Sequence, residues 1–128
     1  MEIDELTKKV IGCAFSVYNK MGFGFLESVY EKCLAIEFRK EKIQAEFQKP
    51  ICVYYENQSV GDFIADILVE NTIIVELKSV TRLNKIHEAQ LVNYLTATGI
   101  ENGLLINFGE QKVEVKRKFK TYRNTKNK

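Results

Sequence analysis

Two apolar segments that contain charged residues constrain this chain more than any other feature. Residues 63–69 and 73–78 have the composition of strands, yet the first contains Asp66 and the second contains Glu76 and Lys78. Removing a charge from water is costly unless the charge is paired or bound to a metal. We therefore predict a divalent-cation site formed by the two carboxylates, with the lysine beside it.

The length of the turn between these two strands decides whether Asp66 and Glu76 can meet. Side chains alternate along a strand, so a shift of one residue in register moves each side chain to the other face. A two-residue turn would put the carboxylates on opposite faces, whereas a three-residue turn with Asn71 or Thr72 left-handed or bulged would pair them directly. We predict the three-residue turn, because a shared metal site requires it.

Hydrophobic periodicity predicts an α/β chain with the element order α-α-β-β-β-α-β-β. Helical spacing covers residues 6–21, 26–40 and 84–98. Strands are predicted at residues 51–55, 63–69, 73–78, 103–108 and 113–115. The first three strands form a meander, the fourth is expected to be buried on both faces, and the last is a short edge strand.

Alternation also predicts which side chains share a face of the sheet. We expect Asp66 to lie on the same face as Ile64 and Leu68, and Glu76 to lie on the same face as Ile74. Lys78 follows Glu76 by two residues and is expected on that face as well. Every one of these charges then lies among apolar neighbours.

Glu27 opens the second helix on its buried side. Tyr30, Leu34 and Phe38 follow three, seven and eleven residues later, which places all four on one helix face. The carboxylate could cap the first helical turn, where the helix dipole favours negative charge, or it could face a site in the core. The two interpretations are compatible.

Composition is that of a one-domain protein. The chain has 128 residues, 45% of them hydrophobic, and no apolar run long enough to span a bilayer, so no membrane partner is expected. Its start lacks the features of a secretory signal, which gives a cytoplasmic location as the default expectation. Three separated cysteines fit a reducing compartment, and a single histidine argues against a structural zinc site.

Positive charge is concentrated at the C-terminus. Residues 112–128 carry eight Lys or Arg and one acid, a net charge of +7. Five of these cations are candidates for contacts with nucleic-acid phosphates: Lys116, Arg117, Lys118, Lys120 and Arg123. A frayed, solvated terminus also explains the charge, and the tail alone favours that explanation. We therefore expect a domain at residues 1–118 and a basic tail at 119–128.

Two further groups of side chains have ordinary structural explanations when taken alone. Gln90 and Tyr94 lie one turn apart on the predicted third helix, as expected for a half-exposed helix face. Phe23, Phe25 and Tyr55 could serve an interface or the core, and the core is the preferred interpretation.

Several segments, taken in order, carry a resemblance to a known family. Gly24, Glu27 and Tyr30 match the signature of the small GxxExxY family, which is placed in the PD-(D/E)XK nuclease superfamily. The later blocks that resemble this family are residues 65–69, 75–80, 87–95 and 103–109. The ordered set is far more specific than an acid followed by E-x-K. One departure is Ala65, which stands where the superfamily name has proline, a position that varies among members.

The resemblance implies a restriction-endonuclease-like core, in which helices flank a mixed central sheet. The implied metal ligands are Asp66, Glu76, the backbone carbonyl of Leu77 and, completing the acidic cluster, Glu27. Gln90 and Tyr94 are similar to the Gln-x-x-x-Tyr element of RecB-like members. The implied substrate is nucleic acid, with DNA favoured.

The expected activity is metal-dependent hydrolysis of phosphodiester bonds. Mg²⁺ or Mn²⁺ prefers oxygen ligands, lowers the pKa of its water and offsets charge at phosphorus. Lys78 would orient or deprotonate that water, or stabilise the developing charge as a cation. Gln90 would hold Lys78 or the water, and Tyr94 would contact a phosphate or support the lysine. Small nucleases of this kind often cut duplexes as dimers, but the sequence contains no dimer motif, so a homodimer is left open.

Two alternatives remain at this point. Glu76 and Lys78 could form ion pairs at a sheet edge, but this leaves Glu27, Asp66 and Gln90 unexplained on apolar faces. A nuclease fold could also lack catalysis and bind nucleic acid or a protein partner through the basic tail, with the acidic pocket as scaffold. A test for chemical change in the DNA separates this module from an enzyme.

Overall fold

Three helices and five strands follow one another in the predicted order in the computed structural model, which describes residues 1–120. The helices are α1 (Ile3–Met21), α2 (Glu27–Lys40) and α3 (Lys85–Thr98). The strands are β1 (Ala45–Tyr55), β2 (Gln58–Val69), β3 (Ile73–Lys78), β4 (Asn102–Phe108) and β5 (Val113–Phe119). No helix in this part of the chain is long and apolar enough to span a lipid bilayer.

The strands form one mixed sheet in the order β1-β2-β3-β4-β5. β3 and β4 run parallel and are connected through α3, while all other neighbours are antiparallel. The predicted meander and the predicted mixed sheet are both confirmed. β1 begins six residues earlier than expected, because Pro50 lies within it rather than before it. An edge strand tolerates proline, which cannot donate to a ladder.

Helices cover both faces of the sheet. α1 and α2 pack on one face and α3 packs on the other, so β4 is buried on both sides as predicted. The buried residues of α2 are Tyr30, Leu34 and Phe38, the three expected from their spacing. Gly103 allows the close approach of α3, since a Cβ at this position would lie 3.0 Å from the side chain of Leu91.

The turn between β2 and β3 has the predicted length of three residues. Val69 pairs with Ile73, and within the turn Glu70 and Asn71 have positive φ angles of 51° and 59°. The left-handed conformation thus begins one residue earlier than expected. The register that results is the one required to set the two carboxylates opposite one another.

The ladder between β2 and β3 is short. Its last pair is Ile67 with Val75, and beyond this point each strand pairs only with its other neighbour. Asp66 and Glu76 are the next positions in the register. Both therefore lie where the two strands separate.

The alternation of β2 side chains between the two faces of the sheet is interrupted at Asp66. Ile67 packs with α1 and α2, whereas Ala65 packs against α3, although simple alternation would place both on one face. Gln48 and Asp66 are skipped in the register between the pairs Phe47–Ile67 and Lys49–Ala65, and Gln48 has a φ of 55°. A left-handed residue in β1 thus accompanies the change of face.

This change of face makes one expectation wrong. Ile64 and Leu68 do not share a face, since Leu68 is buried against α3 whereas Ile64 is 54% exposed. The expectation for β3 holds, because Ile74 packs against α3 and Glu76 follows it by two residues.

Candidate metal centre between β2 and β3

Asp66 and Glu76 meet where their strands separate. The backbone N–H of Asp66 donates to Oε2 of Glu76 at 3.1 Å, and the backbone N–H of Leu77 donates to Oδ2 of Asp66 at 2.8 Å. The N–H and C=O groups of a strand residue point to the same side. The carbonyl of Leu77 therefore also faces β2, which brings three of the expected ligands together.

Burial makes the charge of this pair costly. It raises the pKa of Glu76 from its ordinary value to about 8, and the charge of Asp66 contributes further, while Lys78 acts in the opposite direction. Two carboxylates and a carbonyl form a set of oxygen donors that Mg²⁺ and Mn²⁺ prefer. A divalent cation would offset the repulsion between the carboxylates, so these residues fit such an ion.

Glu27 is directed to the end of β3 and does not form one cluster with this pair. It is the first residue of α2, and its Oε2 accepts a hydrogen bond from the backbone N–H of Ser79 at 3.3 Å. Within residues 1–120 no three Asp, Glu, His or Cys side chains are grouped closely enough to hold a metal. The expectation that Glu27 completes an acidic cluster is therefore not met, because this oxygen is directed to the end of β3.

The residues that carry the Gly-x-x-Glu-x-x-Tyr pattern fix the segment before α2. Gly24 has a φ of 117°, a conformation that side chains rarely allow. Tyr30 is fully buried and stacks on Phe108 with ring centroids 4.1 Å apart. Its hydroxyl donates to the carbonyl of Gly22 and accepts from the N–H of Phe25. The pattern thus positions Glu27 against the end of β3.

Lys78 and Tyr94 both interact electrostatically with the carboxylates. Lys78 is partly buried, two residues after Glu76 on β3. Burial raises the pKa of Tyr94, and the charges of Glu76 and Asp66 raise it further, which places the phenol within electrostatic reach of both. Its ring stacks on Phe63 with centroids 3.7 Å apart.

Gln90 lies one turn before Tyr94 on α3 and is exposed. The expectation that it occupies an apolar face is wrong, because Leu91 and Leu95 form the part of the helix that packs on the sheet. Its amide is accessible from solvent, on the helix that carries Tyr94.

The family model of the PD-(D/E)XK nuclease superfamily matches residues 4–118 of this chain. The chain belongs to the PD-(D/E)XK nuclease superfamily. Members of this superfamily are usually nucleases and generally use divalent metals. Comparison with curated proteins gives no match.

A solved structure titled "Crystal structure of SSO0001" has the same fold as this chain. It is 17% identical in sequence and superposes with a TM-score of 0.58 over 77% of this chain. The chain spans 52% of the length of that protein. The likeness confirms the restriction-endonuclease-like architecture that the sequence predicted.

One acid near Asp66, Glu31, was not among the residues predicted from the sequence. Glu31 lies one turn after Glu27 on α2, and its Oε1 accepts from the side-chain amide of Gln48 at 2.8 Å. Burial raises the pKa of Glu31, and the charge of Asp66 raises it further. The four-residue spacing between Glu27 and Glu31 indicates from the sequence that both lie on one helix face. The contact with Gln48 could not be predicted, because it depends on the left-handed conformation in β1.

A buried asparagine holds the segment that follows Lys78. Asn107 is 0% exposed; its Oδ1 accepts from the N–H of Val80 at 2.9 Å, and its Nδ2 donates to the carbonyl of Val80 at 2.9 Å. Nδ2 also donates to Glu114 at 2.8 Å, and Glu114 accepts from the N–H of Leu83 at 3.2 Å. Lys78 and Asn107 pair directly in the β3–β4 register. The network thus fixes the segment that leaves β3 after Lys78.

Most of the described basic residues near the C-terminus belong to the sheet rather than to a frayed tail. β5 continues through Phe119, beyond the expected boundary of the domain at residue 118. Three cations form ion pairs: Arg117 with Asp4 at 2.8 Å, Lys118 with Glu88 at 2.7 Å and Lys120 with Glu101 at 3.7 Å. Lys116 is exposed, and Arg123 lies outside the described residues. For residues 116–119 the explanation of a solvated terminus is wrong.

Proposed function

We propose that this protein is a nuclease that hydrolyses phosphodiester bonds in DNA and uses Mg²⁺ or Mn²⁺. The observation that carries the proposal is the meeting of Asp66 with Glu76 where β2 and β3 separate, next to Lys78. Membership of the nuclease superfamily supports it. A structural ion pair at a sheet edge would not require two partly buried acids in contact.

Asp66, Glu76 and the carbonyl of Leu77 are the residues that would hold the cation. When bound, it would lower the pKa of a water molecule and offset the charge that develops on phosphorus. The chain supplies the remaining chemistry through side chains that surround the two carboxylates. Glu27, at the end of β3, adds negative charge on the α2 side of the site.

Lys78 is the residue that we assign to the attacking water. Its ammonium can orient that water, and in its neutral form the amine can accept the proton. Tyr94 would donate its phenolic proton to a phosphate oxygen or support the lysine. Gln90, exposed on the same helix, would hold Lys78 or the water after substrate has bound. These three roles complete the catalytic group that we propose: Glu27, Asp66, Glu76, Lys78, Gln90 and Tyr94.

A lysine cluster on the α3 side would receive the nucleic-acid backbone. The hydrogen bond from Lys118 lowers the pKa of Glu88, and the charges of Lys118, Lys116 and Lys85 contribute in the same direction. Three lysines around one carboxylate leave the patch positive. In the register, Lys116 pairs with Leu105, which pairs with Glu76, so Lys116 is two strands or about 10 Å from the site.

The other basic candidates are separated from this patch. Arg117 alternates to the opposite face and pairs with Asp4 of α1, and Lys120 pairs with Glu101. We assign phosphate contacts first to Lys116 and Lys118. Binding of a phosphate there would break the ion pair between Lys118 and Glu88. Arg117, Lys120 and Arg123 remain secondary candidates.

A substrate panel tests the proposed function. Purified protein is incubated with single-stranded DNA, linear duplex, supercoiled plasmid and RNA, each in Mg²⁺, Mn²⁺ or EDTA. Metal-dependent cleavage of DNA is expected, and the panel shows whether RNA is cut. If no substrate is cleaved and calorimetry detects no binding of either metal, the nuclease proposal is contradicted and a non-catalytic binding module takes its place.

A further inference from the structure

The segment between α1 and α2 presents large apolar side chains to solvent. Phe23 is 40% exposed, Phe25 is 42% exposed and Leu26 is 73% exposed. The sequence favoured a core position for both phenylalanines, which is wrong. Three such residues within four positions concentrate exposed apolar side chains on one short segment. We call residues 22–26 the aromatic loop.

The aromatic loop is fixed in its exposed conformation. The Tyr30 hydroxyl binds the loop at the carbonyl of Gly22 and at the N–H of Phe25. The Ser79 hydroxyl donates to the carbonyl of Phe25 at 2.7 Å. The Phe25 ring meets Tyr30 edge-on, with centroids 6.0 Å apart. Because the backbone is held at both ends, the exposed rings are part of an ordered surface.

The same contacts place the loop beside the candidate metal centre. Ser79 directly follows Lys78, and its N–H donates to Glu27, which follows the loop in sequence. The aromatic loop therefore borders the end of β3 that carries the proposed catalytic lysine. Ser79 is three residues beyond Glu76, a span of at most about 10 Å, so a nucleotide next to a phosphate held at Asp66 and Glu76 can reach the loop.

We propose that the aromatic loop is a subsite that stacks unpaired nucleobases, so that single-stranded DNA or frayed ends are the preferred substrates of the site. The proposal rests on the proposed nuclease function, which supplies the strand. Every base has a flat apolar face on which an aromatic ring can stack without hydrogen-bond readout. In an intact duplex these faces are already covered by neighbouring bases, so only unpaired bases can use the loop.

Binding measured without metal tests the proposal separately from catalysis. The probe is a short single-stranded oligodeoxynucleotide containing 2-aminopurine, studied in EDTA, with the same oligonucleotide annealed to its complement for comparison. Phe25→Leu removes the ring and keeps an apolar side chain, whereas Phe25→Tyr keeps the ring. Phe23→Ala tests the second ring, and Phe15→Ala, 45% exposed on α1, is the matched control.

The expected result is a loss of single-strand affinity of about tenfold in Phe25→Leu, with wild-type affinity in Phe25→Tyr and Phe15→Ala. Quenching of 2-aminopurine should weaken in parallel, and duplex affinity should not change. Equal losses for single strand and duplex, or no loss, would overturn the proposal. If the variants change only the self-association of the protein, as measured by sedimentation, the proposal would also be overturned, because the loop would then be a protein interface. Loop-dependent binding without cleavage in Mg²⁺ would contradict only the nuclease function.

Discussion

Asp66 and Glu76 each accept a hydrogen bond from a backbone N–H of the strand that carries the other, at the point where β2 and β3 separate. Backbone groups at such a separation lose their ladder partners, and a buried group without a partner costs about 1 to 3 kcal/mol. The carboxylates therefore satisfy the backbone as well as forming the candidate metal centre. Substitutions at these positions have to preserve the acceptor if they are to test metal binding alone.

The amides Asp66→Asn and Glu76→Gln keep an acceptor oxygen and remove charge. We expect both variants to fold and to lose Mg²⁺ binding in calorimetry. In EDTA each should be more stable than wild type by about 1 kcal/mol, or about 4 °C in thermal unfolding, because carboxylate repulsion is relieved. Unfolding of both variants would show that the charges themselves are structural.

The raised pKa of Glu76 predicts how stability depends on pH without metal. The folded protein binds this proton more tightly than the unfolded chain, since the pKa rises from 4.5 to about 8. Stability should therefore be highest at low pH and fall as the pH rises through this window. Thermal unfolding in EDTA between pH 5 and pH 8 measures the slope. Glu76→Gln should flatten it, and an equally steep decline in that variant would contradict the assignment.

Glu31 should tune the affinity of the metal centre without being essential to the fold. Its charge acts on Asp66, and Gln48 holds it in place. We expect Glu31→Gln to weaken Mg²⁺ binding by about tenfold, the range typical of groups that support metal ligands. Glu56→Gln, in the exposed β1–β2 turn, is the matched control. Equal affinities in the two variants would remove Glu31 from the site.

Asn107 should be the polar side chain whose loss most disturbs the exit of β3. Asn107→Leu removes the partner of the N–H and of the carbonyl of Val80, and one of the two donors to Glu114. We expect a loss of about 3 kcal/mol in urea unfolding, since each orphaned buried group costs about 1 to 3 kcal/mol. Asn93→Leu, on the exposed side of α3, provides the comparison. A similar small effect in both variants would show that the network is dispensable.

Local patterns were sufficient to predict the order of the elements, whereas the three-residue turn was predicted from the requirement that Asp66 and Glu76 share a metal site. The elements depend on periodicity along a few residues, and the turn depends on the chemistry of the charges that flank it. The change of face at Asp66 could not be predicted, because it accompanies a left-handed conformation at Gln48, where the sequence has no glycine. The association of Glu31 with the site depends on that same kink.

The exposure of side chains near the site could not be predicted from the sequence either. The aromatic side chains of Phe23 and Phe25 favour a core position, but contacts from Tyr30 and Ser79 hold the backbone of Gly22 and Phe25 at the surface. The explanation of a solvated terminus is also wrong for Lys118, which lies in β5 and pairs with Glu88 on α3. Both errors involve a contact between residues far apart in sequence, Phe25 with Ser79 in the first case and Lys118 with Glu88 in the second.

The rate of DNA cleavage in Mg²⁺, measured for wild type, Glu76→Gln and Lys78→Met, tests the central claim most directly. Lys78→Met keeps the aliphatic chain and removes the amine, so metal binding should persist while cleavage falls by at least 100-fold. Glu76→Gln should lose both, and EDTA should abolish cleavage by wild type. Cleavage at the wild-type rate in either variant would show that the reaction occurs elsewhere on the protein or in a contaminant.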